Sequence, residues 1–347
     1  MYEINPTLTK DYFLTIILPC YNEEAIIEKN VELVLDHVKK LPHRTEIIIV
    51  NDGSKDKTGA IANELERRHE EVRVIHHPTN LNLGNALKTG FNNAKGDIIV
   101  VLDIDLSYSI EHIDRMVNKM IETSSDIVIA SPYMPGGKVT DVPFTRKMMS
   151  VWVNRLMRMA AQDKYHTYTG MVRAYRREFI QSVNLKTRDY EINPEILYKA
   201  MILRARVAEI PAHLDWTEQN KFKGKRTSSL RMLRGLFSGI MSSFIFRPYI
   251  FFLAIGAVLM ALSLYELVWL LVDTLRHLGS EQPAGVEKSF SISLAYQFRK
   301  NPQTFMVGGI TFLAAIQFLS LAFLSLQSKR YFEELFHLGT SFKKVKH

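Results

Sequence analysis

The chain has 347 residues, of which 47% are hydrophobic, and a formal net charge of +8. This length predicts roughly two domains, and the composition excludes a disordered or fibrous protein. The single cysteine, Cys20, excludes an intramolecular disulfide and argues against a cysteine-based metal site, so we expect it to be a small core residue.

Residues 14–131 alternate apolar runs with helical patterns. In the first helical pattern apolar residues recur at spacings of three and four, and Asn22 is predicted to be its N-cap. The alternation predicts a mostly parallel, doubly wound α/β sheet with helices on both faces. The predicted strands are Leu14–Leu18, Glu46–Val50, Val72–Ile75, Ile98–Leu102 and Asp126–Ala130.

Two further helices and a last short strand are predicted after residue 131. The helix Glu191–Ile202 carries Glu191 and Glu195, which either face a ligand or form the polar face of a surface helix. The strand is the segment "VAEIP". The other helix carries an apolar stripe that we expect to face the core: Met148, Met149, Trp152, Val153, Leu156 and Met157.

Two long apolar runs occupy the C-terminal third, at Tyr249–Val272 and Phe305–Leu326. Each exceeds the roughly 20 residues needed to cross a bilayer, which favours two membrane spans over a buried soluble hairpin. Glu266 and Gln317 interrupt them, and Glu266 is expected near the interface or against a protein partner. No secretory signal peptide is predicted at the N-terminus.

Basic residues flank the two spans and predict their orientation. Residues 221–247 hold seven Lys or Arg and no acid, whereas the loop between the spans is mixed. The positive-inside rule then places the N-terminal part and the tail in the cytoplasm, as a multi-pass protein of the cell membrane. The segment Ser228–Phe246 is amphipathic and is predicted to lie in the interface. A membrane, and no nucleic acid, is the partner that this charge predicts.

Four segments are therefore predicted. Residues 1–215 form a cytoplasmic α/β domain, and residues 216–247 form basic amphipathic interface helices. Residues 248–328 hold the two spans and their loop, and residues 329–347 form a basic cytoplasmic tail.

Two carboxylates, Asp103 and Asp105, follow directly on a buried strand. In an extended segment residues i and i+2 point the same way, so both can reach one hard cation such as Mg²⁺ or Mn²⁺. Asp-x-Asp more often serves a turn, but the polar ends "YNEE" and "NDGS" of other predicted strands favour a ligand site at one sheet edge. The sequence has no Gly-x-Gly-x-x-Gly and no P-loop, which argues against a dinucleotide enzyme or an NTPase.

The segments "TIILPCYNEE", "EIIIVNDGSKDKT", "NLGNALKTGF" and "DIIVVLDIDLS" resemble successive signatures of inverting family 2 glycosyltransferases with the GT-A nucleotide-sugar fold. The C-terminal pair of spans resembles the polyprenyl-phosphate branch, which includes dolichol-phosphate mannose synthases and undecaprenyl-phosphate glucosyltransferases. The resemblance covers nearly all of the chain and is specific for fold and reaction type, not for the sugar.

The resemblance also implies roles for individual residues. A metal ion would be held by Asp103 and Asp105, with Ser107 as a weaker ligand where the branch often has Gln. The nucleoside diphosphate would be bound by Asp103 together with residues from the first two strand ends, namely Pro19, Tyr21, Asn22, Glu23 and Asp52. Of these, Asp52 would lie near the base.

The acceptor phosphate would be gripped by Arg146 and Ser150, four residues apart on one helical face. The family usually has an arginine where this chain has Pro132. Its basic loop near the membrane is degraded here to "NKFKGKRTSS", in which Lys225 or Arg226 takes the place of the usual cation.

The sequence thus predicts a metal-dependent, inverting transfer of a sugar from a UDP- or GDP-sugar to a polyprenyl (dolichyl or undecaprenyl) phosphate. Asp103, Asp105 and Arg146 would be the catalytic residues. A glycolipid synthase acting on diacylglycerol or ceramide and a processive polysaccharide synthase are alternatives, although no Gln-x-x-Arg-Trp motif is present. A third alternative is a non-catalytic membrane anchor that binds a nucleotide sugar. The donor nucleotide, the sugar and a homo-oligomeric state stay open.

Overall fold

The computed structural model describes residues 12–160, 165–217, 248–280 and 289–345. The chain divides into two compact units. The first comprises Met1–Phe246 with Phe336–His347, and the second comprises Arg247–Leu335.

The first unit is built on a seven-stranded sheet of order β3-β2-β1-β4-β7-β5-β8. All neighbouring pairs are parallel except those of β7, which runs antiparallel to β4 and β5. A small parallel pair, β6 and β9, stands apart from it. The strands are β1 (Leu14–Cys20), β2 (Thr45–Asn51), β3 (Val72–His76), β4 (Ile98–Val101), β5 (Ile127–Ser131), β6 (Lys138–Thr140), β7 (Arg173–Arg176), β8 (Val207–Pro211) and β9 (His213–Asp215).

Seven helices lie between or beside these strands in the described residues 12–160 and 165–217. Apolar side chains from opposite faces of the sheet form two separate core clusters, one packed under α1, α2 and α4 and the other under α3, α5 and α7. This arrangement confirms the predicted mostly parallel, doubly wound sheet. The helices are α1 (Ile27–Val38), α2 (Thr58–Arg68), α3 (Leu83–Asn93), α4 (His112–Thr123), α5 (Phe144–Ala160), α6 (Arg177–Ser182) and α7 (Ile192–Ile202).

Strand β7 is the strand of the seven-stranded sheet that the sequence analysis did not predict. It begins with Arg173, which is fully buried and donates hydrogen bonds to the carbonyls of Asn193 (3.0 Å) and Tyr168 (2.6 Å). A buried arginine breaks the apolar pattern of a core strand, and its hydrogen bonds to main-chain carbonyls partly satisfy the guanidinium there.

The predicted N-cap Asn22 is wrong. Helix α1 follows Ile26, which makes no side-chain capping bond. Asn22 instead has a positive φ of 55°, and its Oδ1 accepts a hydrogen bond of 2.8 Å from the amide of Lys55. Its side chain therefore ties the loop after β1 to the loop after β2.

The apolar stripe of α5 faces the core only in part. Val153 and Met157 are buried, whereas Met148 and Trp152 are exposed. The prediction is wrong for these two residues because the stripe is wider than the face that packs against the sheet.

Helix α7 is buried along most of its length, which contradicts, for Glu195, the alternative of a polar face on a surface helix. The Glu195 carboxylate accepts hydrogen bonds from the amides of Lys186 (2.8 Å) and Thr187 (2.9 Å) and pairs with the ammonium of Lys199. Both charged side chains are almost inaccessible to solvent. Glu195 therefore connects α7 to the preceding loop.

We expect Glu195→Gln to lower the free energy of unfolding by about 3 kcal/mol, because it leaves the Lys199 charge buried and unpaired. In thermal unfolding of the purified protein this should lower the midpoint by roughly 6–12 °C. Glu122→Gln removes an exposed pair with Lys119 and should change the midpoint far less. Equal shifts for the two variants would contradict the assignment.

The same pair predicts a dependence on pH. Burial by itself would raise the pKa of Glu195, but its hydrogen bonds with Lys199, Thr187 and Lys186 hold the pKa below the usual 4.5. A depressed pKa contributes stability above the unfolded value, and that contribution is lost as the pH falls through the folded value. The difference in stability between wild type and Glu195→Gln should therefore shrink below about pH 4.

The second unit contains α8 (Pro248–Gly279), α9 (Phe290–Lys300) and the first part of α10 (Pro302–Val345). The segments Tyr249–Gly279 and Pro302–Phe332 are long and apolar enough to cross a membrane, with mean hydropathies of 2.2 and 2.0. Gly308 permits close packing of these helices, because a Cβ atom there would lie 3.0 Å from Oε2 of Glu266.

The short helix α9 buries two polar side chains and exposes several apolar ones. Ser293 and Gln297 are buried, and Gln297 donates a hydrogen bond of 3.3 Å to the carbonyl of Asp273 in α8. Phe290, Tyr296 and Phe298 are exposed. A water-soluble helix usually shows the opposite pattern, so these exposed side chains and the two long apolar helices favour membrane association.

The predicted interface helix Ser228–Phe246, and with it Lys225 and Arg226, lies outside the described residues. The four predicted segment boundaries and the orientation in the membrane stay predictions.

Candidate functional site

The polar ends of three strands meet at one edge of the sheet, as the sequence predicts. Strand β1 lies between β2 and β4 and is parallel to both. The amide of Asp52 donates to the carbonyl of Cys20 (2.9 Å), and that of Leu102 donates to the carbonyl of Ile17 (3.1 Å). Cys20 itself is a core residue, and burial raises the pKa of its thiol to about 12.

Asp103 and Asp105 lie in a tight turn, not in the extended segment that we expected. Strand β4 ends at Val101, and the amide of Leu106 donates to the carbonyl of Asp103 (3.0 Å). Leu106 has a positive φ of 49°. The two aspartates therefore share a loop, but the alternation of a strand does not set their directions.

The turn is anchored from the side of the core. Ile104, between the two aspartates, is buried, and its carbonyl accepts a hydrogen bond of 2.8 Å from Nδ2 of Asn30 in α1. Oδ1 of Asp105 accepts a bond of 3.1 Å from the amide of Ser107, a residue that is itself buried. Both aspartates remain partly exposed, so the anchored turn presents them at the sheet edge.

The donor set of this turn fits a magnesium or manganese ion. Carboxylate oxygens are the ligands that these hard cations prefer, and magnesium usually takes only one or two carboxylates together with water and substrate phosphates. Among the described residues, no cluster of three His, Cys, Asp or Glu residues could hold a metal ion. Two aspartates in one turn suit an ion that also binds a diphosphate.

The predicted nucleoside side is formed by the loops after β1 and β2. Pro19 is buried within β1, whereas Tyr21, just beyond the strand, is exposed. The amide of Glu23 donates to Oγ1 of Thr58 (2.8 Å), and the amide of Asn22 donates to Oγ of Ser54 (3.0 Å). These bonds hold the two loops together beside Asp52.

Asp52 is buried. Among the described residues, two groups donate a hydrogen bond to its carboxylate, and both bonds go to Oδ1. Nδ1 of His77 donates at 2.6 Å and the amide of Leu81 donates at 2.9 Å. The other ring nitrogen of His77 lies 2.9 Å from Oγ1 of Thr89. His77 therefore orients the Asp52 carboxylate, a role for which the sequence shows no motif.

The predicted acceptor side is formed by α5 and the loop after β5. The guanidinium of Arg146 lies over the ring of Trp216, 4.3 Å from its centroid. The side chain of Ser150, one turn further along α5, lies close to that of Tyr133 and lowers its pKa, although burial raises that pKa overall. Tyr133 directly follows Pro132. In the family the corresponding tyrosine usually follows an arginine.

Electrostatics connects the acceptor side to the acid turn. Desolvation lowers the pKa of Arg146, and the nearby Tyr190, Asp105 and Tyr133 oppose that shift. Desolvation and the charges of Asp189 and Asp103 raise the pKa of Tyr190. The charge of Asp105 therefore acts on Arg146, and the charges of Asp103 and Asp105 act on Tyr190.

Sequence reasoning missed Tyr133, Tyr190 and Trp216. Tyr133 could have been found, because it belongs to the motif in which Pro132 stands out. Tyr190 and Trp216 stand 44 and 70 residues beyond Arg146 in the sequence, without a pattern that links them to it.

The Glycosyl transferase family 2 model matches residues 15–183. A dolichol-phosphate mannosyltransferase from Pyrococcus furiosus is 31% identical over 227 residues, which is 65% of this chain and 62% of that protein. A polyprenol monophosphomannose synthase from Mycolicibacterium smegmatis is 30% identical over 221 residues, 62% of this chain and 81% of that protein. The chain thus spans less than two thirds of the first relative.

The fold is also that of a solved structure, glucosyl-3-phosphoglycerate synthase from Mycobacterium tuberculosis with Mn²⁺, UDP-glucose and phosphoglyceric acid. The TM-score is 0.50 at 17% identity, over 67% of this chain and 79% of that one. Together with the sheet order and the acid turn, these similarities show that the chain belongs to glycosyl transferase family 2 and has the GT-A fold.

Proposed function

We propose that this glycosyltransferase transfers a sugar from a nucleotide sugar to a polyprenyl phosphate at a membrane, with inversion at the anomeric carbon. The observation that carries the proposal is that the carboxylate of Asp105, in the acid turn, acts electrostatically on Arg146, whose guanidinium lies over the ring of Trp216. One side of such a site suits a metal-bound diphosphate, and the other suits a second anion. The names of the two relatives above support a polyprenyl phosphate as that anion.

In the proposed reaction a phosphate oxygen of the acceptor forms a bond to the anomeric carbon, and the bond from that carbon to the nucleoside diphosphate breaks. A divalent cation held by Asp103 and Asp105 would supply positive charge to the departing diphosphate. A phosphate monoester is already anionic near pH 7, since its second pKa is about 6, so the attack needs no strong base. Arg146 offsets the repulsion between the two anions.

The membrane setting is supported by the second unit. Its two helices are long and apolar enough to cross a bilayer, and α9 turns its apolar side chains outward. The basic residues next to the spans favour a cytoplasmic location for the first unit and the tail. The acceptor's isoprenoid chain is itself a membrane lipid, so a membrane-bound enzyme matches it.

The bonds at Asp52 support uridine as the nucleoside of the donor. Within the described part of the chain both hydrogen bonds to this carboxylate, from His77 and Leu81, go to Oδ1, which leaves Oδ2 for a ligand. The pairing edge of uracil has one N–H group, which a single oxygen satisfies. Guanine has two adjacent donors that match both oxygens of a carboxylate side by side.

We therefore expect UDP to bind at least about tenfold more tightly than GDP in the presence of Mn²⁺. His77→Ala should weaken UDP binding and reduce the preference, because Oδ1 loses a donor and the carboxylate loses its orientation. His76→Ala is the matched control, since His76 bonds Asn51 and Asn63 instead of Asp52. Isothermal titration of the full chain measures both ratios, and equal affinities for UDP and GDP would refute the assignment.

The function is tested by a transfer assay with purified protein, a polyprenyl phosphate, a panel of radiolabelled UDP- and GDP-sugars, and either Mg²⁺, Mn²⁺ or EDTA. We expect label from one donor to enter the organic phase, and EDTA to abolish the transfer. Transfer to diacylglycerol or ceramide, with none to polyprenyl phosphates, would show that the proposed acceptor is wrong and that the protein is a glycolipid synthase. An insoluble polymer would indicate a polysaccharide synthase.

A further inference from the structure

Helix α5 exposes an apolar stripe on the first unit. The stripe residues occupy positions i, i+4, i+7 and i+8, which is the spacing of a single helical face. Such large apolar side chains normally lie in a core or an interface. Their exposed fractions are 75% for Phe144, 40% for Met148, 37% for Val151 and 62% for Trp152.

The other face of α5 fixes the helix in place. Val153 and Met157 belong to the core cluster beneath the sheet. Oδ1 of the buried Asn154 accepts a hydrogen bond of 2.7 Å from the amide of Tyr168, and its Nδ2 donates to the carbonyl of Ser150 at 2.9 Å. The stripe therefore faces outward because the helix is held by its opposite side.

The charges along α5 are all positive. Lys147, Arg155 and Arg158 are exposed, and α5 contains no Asp or Glu. Exposed apolar side chains together with cations, and no anion within α5, are the composition of a helix that lies in the interface of an anionic bilayer. A protein partner would require acids on its own surface to match, whereas anionic phospholipids supply this charge without a defined shape.

We propose that the stripe Phe144, Met148, Val151 and Trp152 docks the first unit onto an anionic bilayer, with Lys147, Arg155 and Arg158 at the level of the lipid headgroups. Arg146 and Ser150 occupy another face of the same helix, beside Tyr133 and Trp216. Docking thereby holds the proposed acceptor-binding groups within reach of a phosphate carried by a membrane lipid. The docking itself does not depend on the proposed reaction.

The test places an environment-sensitive fluorophore on the stripe. Cys20, the single cysteine, is buried, so a thiol-reactive bimane labels an introduced cysteine selectively. Met148→Cys is compared with Leu33→Cys, an exposed apolar position on α1, in the full chain reconstituted into nanodiscs with 30% anionic lipid. We expect lipids brominated on their acyl chains to quench the label at position 148 and not at position 33.

A charge test accompanies the first measurement. Arg155→Gln with Arg158→Gln should shift docking toward the undocked state by roughly fivefold per charge, and quenching at position 148 should fall accordingly. Neutral nanodiscs should have a similar effect. Quenching at position 148 no greater than at position 33 in anionic nanodiscs would overturn the proposal, even if sugar transfer to polyprenyl phosphate is observed. Quenching without any transfer would support docking and count against the reaction.

Discussion

The Asp105→Asn variant is expected to lose at least about 10³-fold in kcat, close to 4 kcal/mol of transition-state stabilisation. Asp105 shares an anchored turn with Asp103, and its carboxylate accepts a bond from the amide of Ser107. An amide side chain retains an oxygen but removes the negative charge that a divalent cation requires. The variant should therefore bind UDP with no gain in affinity from added Mn²⁺.

The measurement combines turnover in the transfer assay with titration of UDP in the presence and absence of Mn²⁺. Asp36→Asn, an exposed aspartate of α1, is the matched control and should keep both the turnover and the metal effect. The prediction fails if Asp105→Asn keeps a metal-dependent rate close to that of the wild type. A protein that only binds nucleotide sugar would lose little function through this change.

Arg146→Ala is expected to lower kcat/KM for the acceptor by roughly 10²–10³-fold, with little change in the KM of the donor. The guanidinium lies over Trp216 and next to Tyr133, where it can meet a phosphate with two parallel N–H groups. Arg146→Lys keeps the charge but not this planar fork, so we expect it to restore only part of the loss.

Steady-state kinetics with varied acceptor at saturating donor provides the test. Arg67→Ala, which changes an exposed arginine of α2, should leave both constants unchanged. An Arg146→Ala enzyme with a normal KM for the acceptor and a raised KM for the donor would reverse the assignment. Arg146 would then belong to the diphosphate side of the site.

The secondary structure was predicted correctly for segments in which one hydrophobic pattern continues along the chain. The strands β1 to β5 and the helices between them carry continuous apolar runs or three-and-four spacing, which are local properties of the sequence. The meeting of three polar strand ends follows from the same pattern, because parallel strands present their carboxyl ends at one edge. For this reason, and through the family resemblance, the sequence was sufficient to predict five site residues: Asp52, Asp103, Asp105, Arg146 and Ser150.

Other features were decided only by tertiary contacts. Strand β7 escaped prediction because Arg173 is satisfied by carbonyls 5 and 20 residues away. His77 orients Asp52 from 25 residues away in the sequence, and Glu195 is buried only because Lys199 and two loop amides neutralise it.

The amino-acid sequence by itself determined strands β1 to β5, the location of the acid turn and the two apolar helices, since each depends on neighbours along the chain. It could not determine which side of α5 faces the core, because apolar residues cover more of that helix than one packing face needs. Only the packing of Val153 and Met157 and the bonds of Asn154 decide that Phe144, Met148, Val151 and Trp152 face outward. Burial is a property of the whole fold, and a local pattern gives only the list of residues that can be buried.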